Sequence, residues 1–267
     1  MAIEAAMKFV DIDGIRLEYL RQPSSHPRAG APAILFLHEG LGSIALWRNF
    51  PQQVADASGC EAVVYSREGY GHSDAALAPR TPRYLHRQGL EVLPALIDAL
   101  ELDRPLLLGH SDGGSIALLC AGETATLLSG LIVMAPHVLV EEMTLAGIRE
   151  AAQGSRAADL QQRLRRYHSA ANLATVVTDW RDIWLDPAFR DWNIESCLPM
   201  IHCPILAIQG ENDEYATMEQ IDRIAAQASD VERLKVADCR HAPHWDQPDA
   251  VIDAIVAFGD RVLEKSS

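Results

Sequence analysis

Short apolar runs alternate with longer amphipathic stretches along most of this 267-residue chain. Such alternation is typical of strands and helices in a largely parallel sheet, and it places the chain in the α/β class. The apolar runs predict strands at Ala33–Leu37, Ala62–Tyr65, Pro105–Gly109, Gly130–Met134, Ile205–Ile208 and Val231–Val236. The stretches between them predict helices near Trp47–Ala57, Arg83–Leu100, Gly113–Leu119, Met218–Gln227 and Pro248–Leu263.

The N-terminal region has a different pattern. Two β-rich stretches, Met7–Asp11 and Ile15–Leu20, flank the turn-forming pair Asp13 and Gly14, which predicts an antiparallel hairpin. Together with the six apolar runs, this hairpin gives a mostly parallel eight-stranded sheet flanked by helices.

Residues 137–203 interrupt the alternation, because they have helical patterning but no convincing strand. This stretch is much longer than an ordinary connection between a helix and a strand. We therefore expect one domain, with a core formed by residues 1–136 and 204–267 and a helical cap inserted at 137–203. The aromatic residues of this stretch either line a substrate cavity or pack the cap onto the sheet: Tyr167, Trp180, Trp184, Phe189 and Trp192.

Charge and composition narrow the range of partners. The chain has 37 acidic and 23 basic residues, for a formal charge of −14, which repels nucleic-acid phosphates and anionic membranes. No apolar run is long enough to span a bilayer and no signal-like segment is evident, so we expect a cytoplasmic protein acting on a small molecule. A homodimer is an alternative that the sequence leaves open. Five scattered cysteines predict neither a disulfide framework nor a metal site.

The strongest chemical signal is the segment Gly109–Gly114, which follows the apolar run Leu106–Leu108 and precedes a helical pattern. Its Gly-x-Ser-x-Gly spacing is that of a nucleophile elbow, with Ser111 on a tight turn between strand and helix. Such spacing also occurs in simple glycine-rich turns, but the flanking strand and helix favour a nucleophile. The helix start directs unpaired N–H groups towards the site, so the Asp112 N–H is an expected oxyanion donor.

A serine nucleophile needs a base, and the base needs an orienting carboxylate. In this arrangement the acid and then the histidine follow the serine along the chain, after later strands. The strand Ile205–Ile208 opens into a loop in which Asp213 is the expected acid. Glu211 and Glu214 are alternatives for this role, but we favour their interpretation as solvated loop charges.

Two histidines follow the last predicted strand, and His241 has the position of the general base. His244 is expected to pack or hydrogen-bond nearby. We expect His38 and His110 to be structural residues, whereas His137 and His168 are candidates for facing a cavity under the cap, although nothing in the sequence demands it. The second oxyanion donor is expected from the glycine-containing loop after Ala33–Leu37, with Gly40 as first choice and Leu41 as second.

These segments together resemble the α/β-hydrolase superfamily, in particular small bacterial capped esterases, enol-lactone hydrolases and C–C bond hydrolases. The matching blocks are His38–Ser43, Ser66–Ser73, Gly109–Gly114, Gly210–Asp213 and His241–Pro243. The resemblance implies a hydrolase without a cofactor, in which the sheet holds the catalytic residues and the cap selects the substrate.

The chain departs from this superfamily pattern at two positions. Glu39 stands where a glycine usually follows His38, and Arg240 stands where a glycine usually precedes His241. Glu39 either holds a substrate cation or a water molecule, or it points to solvent. The candidate substrate-binding residues are Glu39, His137, Trp180, Trp184 and His244.

The sequence thus predicts a carboxylesterase-like enzyme that forms an acyl-enzyme on Ser111. Hydrolysis of a lactone or of a C–C bond in a vinylogous diketone by the same residues is an alternative. A receptor that binds a small ligand without turnover is an alternative of another class, because fold alone does not determine function.

Overall fold

A computed structural model describes the backbone of residues 7–266 and the side chains of residues 7–264. Its strands are β1 (Lys8–Ile12), β2 (Ile15–Gln22), β3 (Ile34–Leu37), β4 (Ala62–Tyr65), β5 (Leu106–His110), β6 (Gly130–Met134), β7 (Ile205–Gly210) and β8 (Val231–Val236). They form one sheet in the order β1-β2-β4-β3-β5-β6-β7-β8. Strands β3 to β8 are parallel, whereas β1 and β2 pair antiparallel with their neighbours. The predicted eight-stranded, mostly parallel sheet is confirmed.

The β1–β2 hairpin turns at Asp13 and Gly14, which have φ values of 53° and 82°. Two consecutive positive φ values define the turn that matches the twist of a hairpin, and Asp followed by Gly is favoured in it. The Asp11 carboxylate accepts a hydrogen bond of 2.9 Å from the Gly14 N–H, which further fixes the turn.

The helices cover both faces of the sheet. They are α1 (Phe50–Ser58), α2 (Tyr84–Arg87), α3 (Leu93–Ala99), α4 (Asp112–Glu123), α5 (Glu142–Ala151), α6 (Gly154–Leu164), α7 (Ala170–Trp184), α8 (Glu219–Gln227), α9 (Pro243–Asp246) and α10 (Pro248–Ser266). Alternate residues of each strand face opposite sides, so α1 and α10 pack on one face and α3, α4 and α8 on the other. The central strands are therefore buried on both faces.

The helix predicted over Arg83–Leu100 is divided in the structure. A π-helical turn at Gln88–Val92 separates α2 from α3. Pro94, the second residue of α3, lacks an N–H and sterically opposes the carbonyl four residues earlier, so the helix widens just before it. The short helix α9 was not predicted, because four residues are too few to show a helical pattern.

Residues 137–203 contain α5, α6 and α7, with 3₁₀ turns at Pro187–Phe189 and Glu195–Met200 and one isolated bridge between Leu139 and Asn193. We call this stretch the insertion. Its side chains Ile183 and Phe189 belong to the same apolar cluster as Val133 of β6. The insertion is therefore packed onto the sheet through a shared core, and its bounds as a distinct cap stay a prediction.

Candidate active site

The carboxyl ends of the six parallel strands lie at one edge of the sheet, and this edge collects the polar residues of the site. One residue with a role discussed below follows each strand: Gly40 after β3, Arg67 after β4, Ser111 after β5, His137 after β6, Asp213 after β7 and His241 after β8. Parallel topology thus brings together residues that are up to about two hundred positions apart in sequence.

Ser111 lies on the tight turn between β5 and α4, with φ 52° and ψ −117°. A positive φ is strained for a residue other than glycine, and such strain is concentrated at functional sites. The turn needs glycine on both sides for steric reasons. A Cβ on Gly109 would lie 2.3 Å from the Gly113 carbonyl oxygen, and a Cβ on Gly113 would lie 2.0 Å from that of Leu37.

A hydrogen-bonded chain connects Ser111, His241 and Asp213. The Ser111 Oγ lies 3.0 Å from His241 Nε2. On the other side of the ring, His241 Nδ1 lies 2.9 Å from Asp213 Oδ1 and 2.8 Å from Oδ2. These are the distances that a nucleophile, its base and an orienting carboxylate require.

The Asp213 carboxylate is held by a further set of donors. It accepts hydrogen bonds from the Gln209 side chain at 2.5 Å and from the N–H groups of Tyr215 and Ala216 at 2.8 and 3.2 Å. Burial would raise the pKa of Asp213, but the charge and hydrogen bond of His241 outweigh burial and hold the pKa below its usual value. Asp213 is therefore ionised at neutral pH.

His241 is fixed through its backbone as well as its ring. Its carbonyl accepts a 2.7 Å hydrogen bond from His110 Nε2, and its N–H donates to the exposed Glu214 carboxylate at 3.2 Å. Glu214 is thus exposed to solvent, as predicted, and its carboxylate also helps to hold the backbone at His241 in place. Burial would lower the pKa of His241, but the Asp213 carboxylate outweighs burial, so the pKa is raised above 6.5. Burial lowers the pKa of His110 to about 3, which keeps that ring neutral.

Two backbone N–H groups beside Ser111 are available to an oxyanion. Asp112 is the first residue of α4, where the N–H has no partner within the helix and the helix dipole favours negative charge. Gly40 lies next to it, since a Cβ on Gly40 would be 3.4 Å from Asp112 Oδ2. Among the hydrogen bonds of residues 7–266, none uses the N–H of Gly40, Leu41 or Asp112.

A buried arginine that the sequence prediction gave no role supports the loop His38–Ser43, which we call the oxyanion loop because it is predicted to supply an oxyanion donor. The Arg67 guanidinium donates to the carbonyls of His38 and Glu39 at 2.5 and 2.9 Å and lies 3.8 Å from the Asp112 carboxylate. The Tyr84 hydroxyl donates to the same carboxylate at 2.9 Å. The available signal was a charged residue two positions after the end of the buried strand β4.

The neutral ring of His38 completes this support. Its Nε2 accepts a 3.1 Å hydrogen bond from the Arg67 N–H, and its Nδ1 donates to the Glu39 carbonyl at 2.8 Å. Burial holds the pKa of His38 well below its usual value. His38 is therefore structural, as the sequence predicted.

Ser111 opens into a cavity of about 420 Å³ between the sheet edge and the insertion. Of the predicted substrate-binding residues, Glu39, His137, Trp180 and Trp184 line this cavity. Several lining residues were not predicted, because only packing brings them to the cavity. Four lie on helices of the insertion and Tyr215 lies in the loop after β7: Thr144, Ile148, Leu160, Arg163 and Tyr215.

His244 does not line this cavity. Its buried ring packs among those of Trp47, Phe50 and His110, with centroid distances of 4.9, 5.4 and 4.8 Å. The structure thus assigns His244 to packing behind His241. His168, expected to face the cavity, instead bridges the insertion to the core. Its Nδ1 accepts from the Gly71 N–H and its Nε2 donates to the Leu41 carbonyl, both at 3.0 Å.

Glu39 and His137 place two unusual polar groups in the cavity. Glu39 is half-buried, burial raises its pKa to about 7, and no other side chain of the described residues hydrogen-bonds to its carboxyl. His137 is 2% exposed, and its Nδ1 has no partner within the described chain. Its ring lies 5.0 Å from that of Trp184 and 6.0 Å from that of His241.

The described residues contain no cluster of histidine, cysteine or acidic side chains suited to a metal ion. None of their helices is long and apolar enough to cross a membrane. All five cysteines are free, and four of them are buried.

Comparisons with known proteins agree with this architecture. Mouse serine hydrolase BPHL is 27% identical over 209 residues, which are 76% of this chain and 69% of that protein. The 2-hydroxy-6-oxo-6-phenylhexa-2,4-dienoate hydrolase of Burkholderia cepacia is 22% identical over an alignment covering 91% of this chain and 92% of its own.

Among solved structures, the enol-lactonase of Burkholderia xenovorans LB400 matches with a TM-score of 0.73 and 19% identity, covering 94% of this chain and 99% of that one. This match shows a common fold. Residues 34–254 match the profile of the alpha/beta hydrolase family. The chain therefore belongs to the alpha/beta hydrolase family and is a hydrolase.

Proposed function

We propose that the protein hydrolyses a small carboxylic ester through an acyl-enzyme on Ser111. The observation that supports this most strongly is the unbroken chain from Ser111 Oγ through His241 to Asp213, with contacts of 3.0 and 2.8 Å. A hydroxyl in such a chain is activated by its base at neutral pH.

In the first half-reaction, His241 Nε2 accepts the Ser111 proton while Oγ bonds to the ester carbonyl carbon. The resulting oxyanion accepts hydrogen bonds from the N–H groups of Gly40 and Asp112, which have no other partner among the described residues. When the intermediate collapses, the C–O bond to the alcohol breaks and His241 gives its proton to the departing alcohol oxygen.

In the second half-reaction, His241 takes a proton from water, and the hydroxide oxygen bonds to the acyl carbon. Collapse breaks the bond to Oγ, His241 returns the proton to Ser111, and the carboxylic acid leaves. Asp213, held ionised by its donors, stabilises the imidazolium in both halves.

The cavity walls support a compact, partly apolar acyl group. Trp180, Trp184 and Ile148 form apolar walls around a volume of about 420 Å³. His137 and Thr144 add polar positions to this lining.

A second candidate is cleavage of a C–C bond in a vinylogous diketone by the same residues. Its support is the Burkholderia cepacia relative, a dienoate hydrolase that aligns with 91% of this chain. Ligand binding without turnover is a third candidate function. It does not explain why Ser111, His241 and Asp213 lie at hydrogen-bonding distances from one another.

The test is hydrolysis of p-nitrophenyl esters of increasing acyl length by the intact protein, with Ser111→Ala alongside. Turnover that is lost in the variant supports a serine esterase. Labelling by a fluorophosphonate probe, read by intact mass, reports an activated Ser111 whatever the substrate. Labelling without ester turnover would favour C–C bond hydrolysis over ester hydrolysis. If a folded protein shows neither labelling nor turnover, the proposal of an activated serine is wrong.

A further inference from the structure

A second depression adjoins the catalytic cavity and has an unusual charge. It has a volume of about 860 Å³, and four arginines line it: Arg48, Arg163, Arg165 and Arg166. We call this depression the arginine groove. Glu39, where the groove meets the catalytic cavity, is the one acidic residue among its described lining. A concentration of positive charge on a protein of formal charge −14 indicates a local requirement for an anion.

These four arginines have no carboxylate partner in the described part of the chain. None of the ion pairs found between residues 7 and 264 involves Arg48, Arg163, Arg165 or Arg166. By contrast, Arg156 of the same helix α6 as Arg163 pairs with Glu150. The guanidinium groups of the groove are therefore exposed and available to a ligand.

Arg48, which lines the groove, has a strained backbone. Its φ of 55° and ψ of −126° are close to the values of the nucleophile Ser111. Such a conformation in a residue other than glycine is a sign of functional constraint. The Arg48 guanidinium lies 4.8 Å from the ring centroid of Trp245, which is 42% exposed. The Arg48 guanidinium thus stacks over the Trp245 ring, which helps to hold the positive charge at the groove.

The groove is continuous with the catalytic site on the side of the base. It shares Leu41 and Arg163 with the catalytic cavity. It shares Leu46 and Trp245 with a recess of about 240 Å³ that His241 lines. Because His241 must reach the departing alcohol oxygen, an ester bound at Ser111 with its acyl part in the tryptophan-lined cavity would direct its alcohol part to this side.

We propose that the arginine groove binds a phosphate or carboxylate group on the alcohol part of the ester, so that the natural substrate is an anionic ester. This inference rests on the proposed esterase function. Guanidinium groups match the oxygens of both anions through paired N–H donors, and a basic groove also raises the rate of encounter with an anion.

The experiment uses phenyl butyrates with three para substituents on the phenol: neutral ethyl, carboxymethyl and phosphonomethyl. At low salt we expect kcat/KM for the phosphonomethyl ester to exceed that for the ethyl ester by about tenfold, and to lose this advantage as salt rises. The carboxymethyl ester separates a general preference for anions from one for phosphorus oxyanions. A phenyl ester with the phosphonate at the end of the acyl chain serves as the reversed substrate.

The variants are Arg48→Gln and the double change Arg165→Gln with Arg166→Gln. For exposed charge pairs we expect the ratio of kcat/KM between phosphonomethyl and ethyl esters to fall about threefold for each arginine removed. Arg149→Gln is the matched control, because Arg149 is an exposed arginine of the insertion that lines neither cavity nor groove. It should leave the ratio unchanged.

Binding without turnover separates this inference from the proposed function. In calorimetric titrations of Ser111→Ala, the difference between the affinities for the phosphonomethyl and ethyl esters measures the contribution of the groove. Equal affinities, or a phosphonate preference that survives loss of the arginines, would overturn the groove as an anion site. A preference for the reversed substrate would overturn its assignment to the alcohol part. Hydrolysis of the neutral ester with no anion preference would leave the esterase proposal standing.

Discussion

The loops at the sheet edge and the helical insertion contribute to the same cavity in opposite ways. In the loops, Ser111, Asp213 and His241 each follow a strand within a few residues, and hydrogen bonds of about 3 Å fix them. In the insertion, the cavity residues Ile148 and Trp180 are on different helices and belong to one apolar cluster. Reactive groups need a fixed geometry, whereas a substrate pocket needs only shape and polarity.

Polar contacts nevertheless couple the two regions at two buried residues of the insertion. The Asn172 amide donates to the carbonyls of Tyr70, Gly71 and Ser73 at 3.1, 3.1 and 2.9 Å. His168 donates to the Leu41 carbonyl within the oxyanion loop, and burial lowers the pKa of His168 to about 4. The insertion therefore also helps to hold the oxyanion loop in place.

Among the variants that test this difference between the loops and the insertion, Asp213→Asn should have the largest effect. Asp213→Asn keeps the side-chain shape but removes the charge that orients the His241 tautomer, and kcat should fall by about 10⁴-fold. The loss should be the same for short and long acyl esters, because the loop residues act on the reaction and not on the acyl group. A loss that depends strongly on acyl length would contradict the division of roles.

Gly40→Ala should have the next largest effect. An added Cβ would lie 2.7 Å from Trp180 Cδ1, so the oxyanion loop or the indole must move. Displacement of one oxyanion donor should lower kcat by about 10²–10³-fold with a smaller change in KM. Gly259→Ala is the control, because a Cβ there meets nothing within 4 Å. An unchanged kcat in Gly40→Ala would exclude this loop as the donor.

Trp180→Phe tests the insertion. The smaller ring enlarges the cavity, so kcat/KM should rise by about tenfold for an ester whose acyl chain is one methylene beyond the wild-type optimum. Trp192→Phe is matched to it, since Trp192 lies in the insertion outside the cavity lining and should leave the optimum unchanged. A shift of similar size in both variants would mean that packing of the insertion, and not the cavity wall, sets the preference.

Glu39→Gln should have the smallest effect, visible in the pH profile of kcat/KM. Activity requires a neutral His241 and is lost as pH falls through the His241 pKa. After Asp213 and Glu214, the Glu39 carboxylate contributes to raising that pKa. Its removal should therefore move the acid limb to lower pH, whereas Glu211→Gln in an exposed loop should not. A limb that stays in place would show that Glu39 is too distant or too well solvated to act on the base.

Sequence by itself determined the strands, the elbow turn and the order in which Ser111, Asp213 and His241 follow those strands. Ser111, Asp213 and His241 were predictable because each directly follows a strand, and parallel strands end at one edge whatever the details of packing. The Asp13–Gly14 turn was predictable from backbone preference alone. These are local properties combined with one simple topological rule.

Only the tertiary structure decided the roles that depend on residues from different helices. His168 and His244 are of a residue type that often occurs in active sites. Packing nevertheless places His168 against the Leu41 carbonyl and His244 in an aromatic cluster. The hydrogen bonds of Arg67 and the proximity of Arg48 to Arg165 likewise depend on how distant segments pack. The periodicity of the sequence carries no information on that packing. Local pattern determines where a side chain sits along an element, whereas its partners depend on how distant elements pack.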